Sequence, residues 1–254
     1  MLARLADEIE ACMARRSPLG LGRGLGLGRA EASGGAFGSA HAPAAVHEWF
    51  ADAEGDTRAQ VRRWDAPIVA AIVTARACVM NASDPHRVCV WIGRACWPHP
   101  VAIARSSPAL LVRSVFVDVA GREDRAWAIE TALRSDGVAA VVADGSRLDF
   151  NSTRRFQLAA EVGGAVGLLL RPRWELGELS AARTRWLVTP CVSNNSDQRW
   201  TVELLRCKGM RPTMSEARRW AVTRCHATGD VRVVADAADQ PVEKEAAPPR
   251  RAAV

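Results

Sequence analysis

Residues 137–172 read GVAAVVADGSRLDFNSTRRFQLAAEVGGAVGLLLRP. Val138–Ala143 is a run of small and β-branched residues with no polar interruption, and Val166–Leu170 is a second apolar run. Strands that are apolar at every position, and not at alternate ones, are covered on both faces, which is the mark of a parallel sheet. Between the two runs, NSTRRFQLAAEVGG reads as a helix, with Asn151 or Ser152 as its cap and Gly163 near its stop. Strand, helix and strand at this spacing form a parallel unit with a right-handed crossover. The first strand ends on a carboxylate, Asp144, at the edge where open α/β sheets place their ligands.

The neighbouring segments extend the pattern. GREDRAWAIETALRSDG (121–137) predicts a helix with Glu123 and Asp124 in the first turn and Arg134 in the last, as the helix dipole favours. Ala126, Ile129 and Leu133 recur at helical spacing with Trp127 beside them, so Trp127, Ile129 and Leu133 are expected to pack on the central strand. Gly137 is placed as the C′ residue. RVCVWIG (87–93) and SVFVDV (114–119) read as strands, and PHPVAIAR (98–105) as one helical turn. Pro67 opens a helix whose apolar face is Ile68, Ala71, Ile72, Ala75 and Val79. Val46–Phe50 reads as a short strand.

Beyond Pro172 the period changes. In RWTVELLR (199–206), Trp200, Val202 and Leu204 alternate with Arg199, Thr201 and Glu203, and RWLVT (185–189) behaves likewise. SNNSD (193–197) between them is turn chemistry. RRWAVTRC, HATGD and VRVVAD predict a second hairpin. The expected fold is α/β: a mostly parallel central sheet flanked by helices, with antiparallel strands added at the C-terminal edge. The expected divisions are an amphipathic helix over 1–16, with Leu2, Leu5, Ile9 and Met13 on one face, a Gly/Ala-rich linker over 17–45, the α/β domain over 46–236, and a disordered tail over 237–254.

The 254 residues are 48% hydrophobic and 24% charged, a globular composition, with a net charge of +6 carried almost entirely by Arg. No apolar run approaches the ~18 residues that span a bilayer, and the first segment lacks the apolar core of a signal peptide. Seven cysteines without framework spacing point to free buried thiols in a reducing cytoplasm.

The motifs exclude more chemistry than they offer. A P-loop needs GxxxxGK[ST]; the only lysines are Lys208 and Lys244, far downstream. After the first strand comes FADAEGDT (50–57), where Asp52, Glu54 and Asp56 would repel a triphosphate. Asp144 has the position of a Mg²⁺-coupled Asp, but without a phosphate cradle a cap on the following loop is the better reading. Cys89, Cys96 and His99, and the pair Cys225–His226, lack the paired spacing of a zinc site. No GxSxG or activated thiol pattern marks a nucleophile. No catalytic, metal or cofactor-binding residue is therefore assigned, and no cofactor is expected. Arg beside Trp recurs in RRW, TRW and QRW, which serves either single-strand binding or core packing with Arg turned to water; core packing is favoured. Arg154 and Arg155 stand in the first turn of the helix after Asp144, where positive charge opposes the dipole. They are candidates for binding an acidic or phosphate partner, with salt bridges to Asp149 and nearby carboxylates as the alternative.

The segment from Trp127 to Arg171, followed by SAARTRW and RWTVELLRCKG, resembles the ImuA family, with ALRS…VVAD, RRFQLAAE and LLLRP in that order. The likeness extends over Val88–Gly209. It implies a RecA-like fold in which Val46–Phe50 precedes the position of the phosphate loop and Asp144 is the strand-end Asp of a degenerate site. It implies a non-catalytic accessory role in SOS-induced, error-prone translesion synthesis. The partners it implies are RecA, an ImuB-like Y-family polymerase homologue and an alternative DNA polymerase III α subunit, with DNA as a further candidate and no membrane. Two alternatives stand beside it: an active ATPase with an unconventional loop, and a SulA-like cell-division inhibitor.

Overall fold

The computed structural model describes residues 44–51, 65–119, 121–191, 198–208, 219–224 and 231–236, with backbone alone at 65–67, 73 and 231–236. The expected N-terminal helix, the linker up to residue 43, the acidic stretch after Ala51, both hairpin turns and the tail lie outside the described residues.

Nine strands form one sheet: β1 (Val46–Ala51), β2 (Val88–Ile92), β3 (Ser114–Val117), β4 (Val138–Asp144), β5 (Val166–Pro172), β6 (Thr184–Cys191), β7 (Gln198–Cys207), β8 (Arg219–Arg224) and β9 (Val231–Asp236). Their spatial order is β3-β2-β4-β5-β1-β6-β7-β8-β9. Pairing is parallel from β3 to β6 and antiparallel from β6 to β9. The α/β expectation with antiparallel additions at the C-terminal edge is what the chain adopts. β4 and β5 are buried at all their positions, as apolar runs in a parallel sheet must be.

Helices cover both faces. On one lie α1 (Asp65–Met80), α2 (Pro100–Ser106) and α3 (Pro108–Val112). Ala71, Ile72, Ala75, Val79, Ile103 and Leu110 pack there with Trp91, Val142 and Leu168. The same layer continues over the antiparallel strands, where Trp49 stacks on Trp186 at 5.4 Å and Trp200, Val202 and Leu204 turn inward. On the other face, α4 (Arg122–Arg134) and α5 (Phe150–Gly163) set Ile129, Leu133, Phe156 and Ala160 against Ile92, Val141 and Leu169.

Four local expectations are corrected. Trp127 is 70% exposed: the buried stripe of α4 is Arg125, Ala126, Ile129 and Leu133, and Trp127 lies off it by the 3.6-residue period. The cap of α5 is Asp149, whose carboxylate accepts from the Ser152 N–H, so the helix starts before Asn151. The helix ends at Gly163, as expected, and Gly164 follows in a left-handed conformation at φ +66°. Gly137 caps nothing, because α4 closes on Ser135 in an extended conformation. Among the thiols, Cys78, Cys89, Cys96 and Cys191 are free, whereas Cys207 is disulfide-bonded, against the expectation of free thiols throughout.

Candidate functional site

The chain leaves β2 toward β3 on one side and leaves β4 toward β5 on the other, so the crevice beyond the carboxyl ends of β2 and β4 is a topological switch point. Asp144 fills it. One carboxylate oxygen accepts from the Ser146 N–H at 2.9 Å, and the other lies 3.3 Å from Nη1 of Arg125. Arg125 also donates to the Ser146 carbonyl at 2.7 Å. The side chains of Arg125 and Asp144 are only 9% and 12% exposed. Both oxygens are engaged, which matches the loop-cap reading and adds a buried cation that periodicity could not reveal. Beside them, burial pushes the Cys96 thiol far above its ordinary pKa, and the charge of Asp144 adds to the effect. The thiol donates to the carbonyls of Ile92 and Gly93 at 3.0 and 3.1 Å.

A second charge cluster lies under the loop that follows Asp144. Arg171 is fully buried and reaches Glu48 at 2.7 Å and Glu175 at 2.8 Å. Arg185 meets the other oxygen of Glu48 at 2.9 Å, and Ser180 donates to Glu48 at 2.7 Å. Burial opposes the charge on Arg171, but Glu48 and Glu175 outweigh it and hold its pKa above the ordinary value. The cluster ties β1, β5 and β6 to the loop by way of the Leu148 carbonyl, which accepts from Arg171, and the Arg147 N–H, which donates to Glu175 at 2.8 Å. Sequence reading missed these residues. The available signal was Glu48, Arg171 and Arg185 inside or ending otherwise apolar strands, since buried charges demand partners. Gly145 completes the packing, because a Cβ there would sit 2.9 Å from Arg171 Cγ and from Leu169 Cβ.

Arg154 and Arg155 are separated by the helix they share. Both are exposed. Arg155 lies 3.5 Å from Glu130, which also holds Arg134 at 2.9 Å. Arg154 has no ion pair among the described residues. Asp149 pairs with neither: its bonds from Ser152 lower its pKa, with Arg122 adding to the effect. Arg155, Arg122, Arg147, Asp149, Glu130 and Trp127 line a pocket of about 310 Å³ between the amino ends of α4 and α5, and Arg154 stays outside it.

The other sequence candidates have local roles. His99 caps α2 by accepting from the Val101 N–H, and Cys89 is buried in the core. Trp186, Trp200 and Trp220 are buried, as core packing requires, while Trp64 lies outside the described residues. No group of three or more His, Cys, Asp or Glu side chains is placed to hold a metal ion among the described residues. No helix there is long and apolar enough to cross a membrane.

Comparison with known proteins shows a partial likeness and a shared fold. No family model matches the chain. Over 102 aligned residues it is 37% identical to Protein ImuA from two strains of Caulobacter vibrioides, and the match takes in 33% of this chain and 41% of each relative. Over that stretch the chain is similar to ImuA. It spans about two-fifths of the length of the curated ImuA proteins that it matches. The chain also superimposes on the crystal structure of the RadB recombinase with a TM-score of 0.52 over 76% of this chain and 92% of that one. At 9% identity the likeness establishes the fold, a RecA/RadB-like one, and nothing further.

Proposed function

We propose that this chain acts by binding, without turning over nucleotide, as an accessory protein of damage-induced, error-prone translesion synthesis. The observation that carries the reading is the Asp144 carboxylate. A RecA-like fold implies Mg²⁺-ATP at the carboxyl edge of the sheet, and the residues present do not fit it. Asp144 is occupied by the Ser146 N–H and the buried Arg125 guanidinium, so a divalent cation would have to displace an arginine from a nearly closed crevice. The sequence following β1 supplies Asp52, Glu54 and Asp56 where a triphosphate cradle needs backbone N–H groups and a lysine.

The ImuA resemblance supplies the expected partners: RecA, the ImuB-like protein and the alternative polymerase α subunit, in the cytoplasm. Exposed arginines, Arg154 and Arg155 among them, suit acidic surfaces on such partners. The test is copurification of RecA and the ImuB-like protein with the tagged chain from damaged cells, before and after ATP is removed with apyrase. Complexes should survive ATP removal, and should weaken both in Arg154→Glu/Arg155→Glu and at raised salt. Complexes that form only with ATP present would contradict the reading.

A further inference from the structure

We propose that the pocket between the amino ends of α4 and α5 is a docking site for an acidic peptide segment carrying an apolar anchor. The inference rests on the reading that this chain acts by binding, and it supplies the surface and the chemistry of the partner segment.

Three observations carry it. Trp127 presents its ring to solvent at the pocket, 70% exposed, on the side of α4 turned away from the core. Across the pocket Arg155 begins a stripe on α5, and Leu158 and Val162 follow at i+3 and i+7, 54% and 74% exposed. An exposed tryptophan at the wall of a pocket marks an interaction surface.

The second observation is the backbone of Arg147, at φ +60°, the only non-glycine with positive φ among the described residues. Such a conformation is unfavourable for an L-residue and persists where the surroundings over-determine it. Here Glu175 grips the Arg147 N–H, and the buried Arg171 grips Glu175. The Arg147 side chain is thereby held at the pocket, exposed, with no ion pair among the described residues.

The third is the balance of charge. Arg122, Arg147 and Arg155 face Glu123, Glu130 and Asp149 in the same pocket. Glu130 is committed to Arg134 and Arg155, and Asp149 to Ser152. A nucleic-acid strand would bring a phosphate at every step against these carboxylates. A peptide can instead set one carboxylate on Arg147 and Arg155 and an apolar side chain on Trp127. The volume, about 310 Å³, lies at the small end of ligand pockets and suits an anchor residue with its neighbour better than a whole small molecule.

The test uses the full chain and fluorescein-labelled peptides, each with a Leu-Phe pair flanked either by one Asp or by one Asn, read by fluorescence anisotropy. An oligothymidylate of similar length and a peptide with Ser in place of Leu-Phe serve as comparators. Binding should saturate, be stronger with Asp than with Asn, and require the Leu-Phe pair. Arg147→Gln and Trp127→Ala should each weaken it about tenfold. Arg105→Gln, a remote exposed arginine on α2, should not. Because Trp127 and Arg147 are exposed, unchanged circular dichroism and melting separate lost binding from lost folding. Absence of peptide binding, binding indifferent to both substitutions, or oligothymidylate binding that depends on the same residues would each overturn the proposal. None of these results bears on nucleotide use, so this inference and the functional reading fail separately.

Discussion

Arg125, in the first turn of α4, and Asp144, the last residue of β4, form an ion pair of 3.3 Å in the crevice beyond the carboxyl ends of β2 and β4. The pair stabilises the loop through Ser146, whose N–H and carbonyl are bonded to its two members. A buried pair contributes little over an apolar replacement, but breaking it leaves one charge uncompensated.

Arg125→Leu should therefore cost roughly 3 kcal/mol, and Asp144→Asn about 1–3 kcal/mol, since Asn can still accept from Ser146. The double variant should lose less than the sum of the two, because each single change exposes the other's cost. Urea midpoints of the four proteins check this; strict additivity would show that the two side chains are not coupled.

Arg171→Leu strands Glu48 and Glu175 in the core and should cost roughly 3–5 kcal/mol. Arg171→Lys should recover only part of it, because an ammonium cannot reproduce the fork that joins both carboxylates. Thermal unfolding of both variants decides it, and a lysine variant as stable as the parent would refute the bidentate account.

Along α4, Leu133→Ala should cost about 2–5 kcal/mol as a fully buried truncation. Trp127→Ala should stay within about 0.5 kcal/mol of the parent, as exposed positions do. Equal losses at the two positions would place the core stripe of this helix wrongly.

The contrast between these two residues shows what the sequence carries. β4 and β5 were legible because strands buried on both faces announce themselves as apolar runs. The hairpins were legible because Trp200, Val202 and Leu204 alternate with polar residues. Trp127 has the bulk of a core residue, but helical phase turns it to solvent. Arg125 was invisible as a core residue, since a charged side chain in an amphipathic helix is expected to face water. Glu48 and Arg171 stand 123 positions apart, and local pattern contains no term for such a pairing. The pocket was half legible: Arg155 drew attention through its place in the first helical turn. Arg147 did not, because its left-handed backbone is imposed from Glu175.

His47 gives the fold a pH dependence of known sign. It is fully buried, with Nδ1 2.7 Å from the Thr184 hydroxyl, and burial together with Arg183 lowers its pKa to about 3. The unfolded chain takes up a proton near the ordinary value of 6.5 that the native state refuses. The stability contributed by neutral His47 is therefore complete above that value and drains as pH falls toward 3. Between pH 7 and 5 this amounts to about 2 kcal/mol, and His47→Gln should flatten that part of the profile. Parallel pH profiles for the two proteins would contradict it.

Isothermal titration of the full chain with Mg²⁺-ATP tests most directly whether this RecA-like fold works without nucleotide, as proposed. No saturable heat is expected up to millimolar nucleotide, in the parent and in Arg125→Leu alike. Saturable binding with a micromolar Kd, lost in Asp144→Asn, would contradict it.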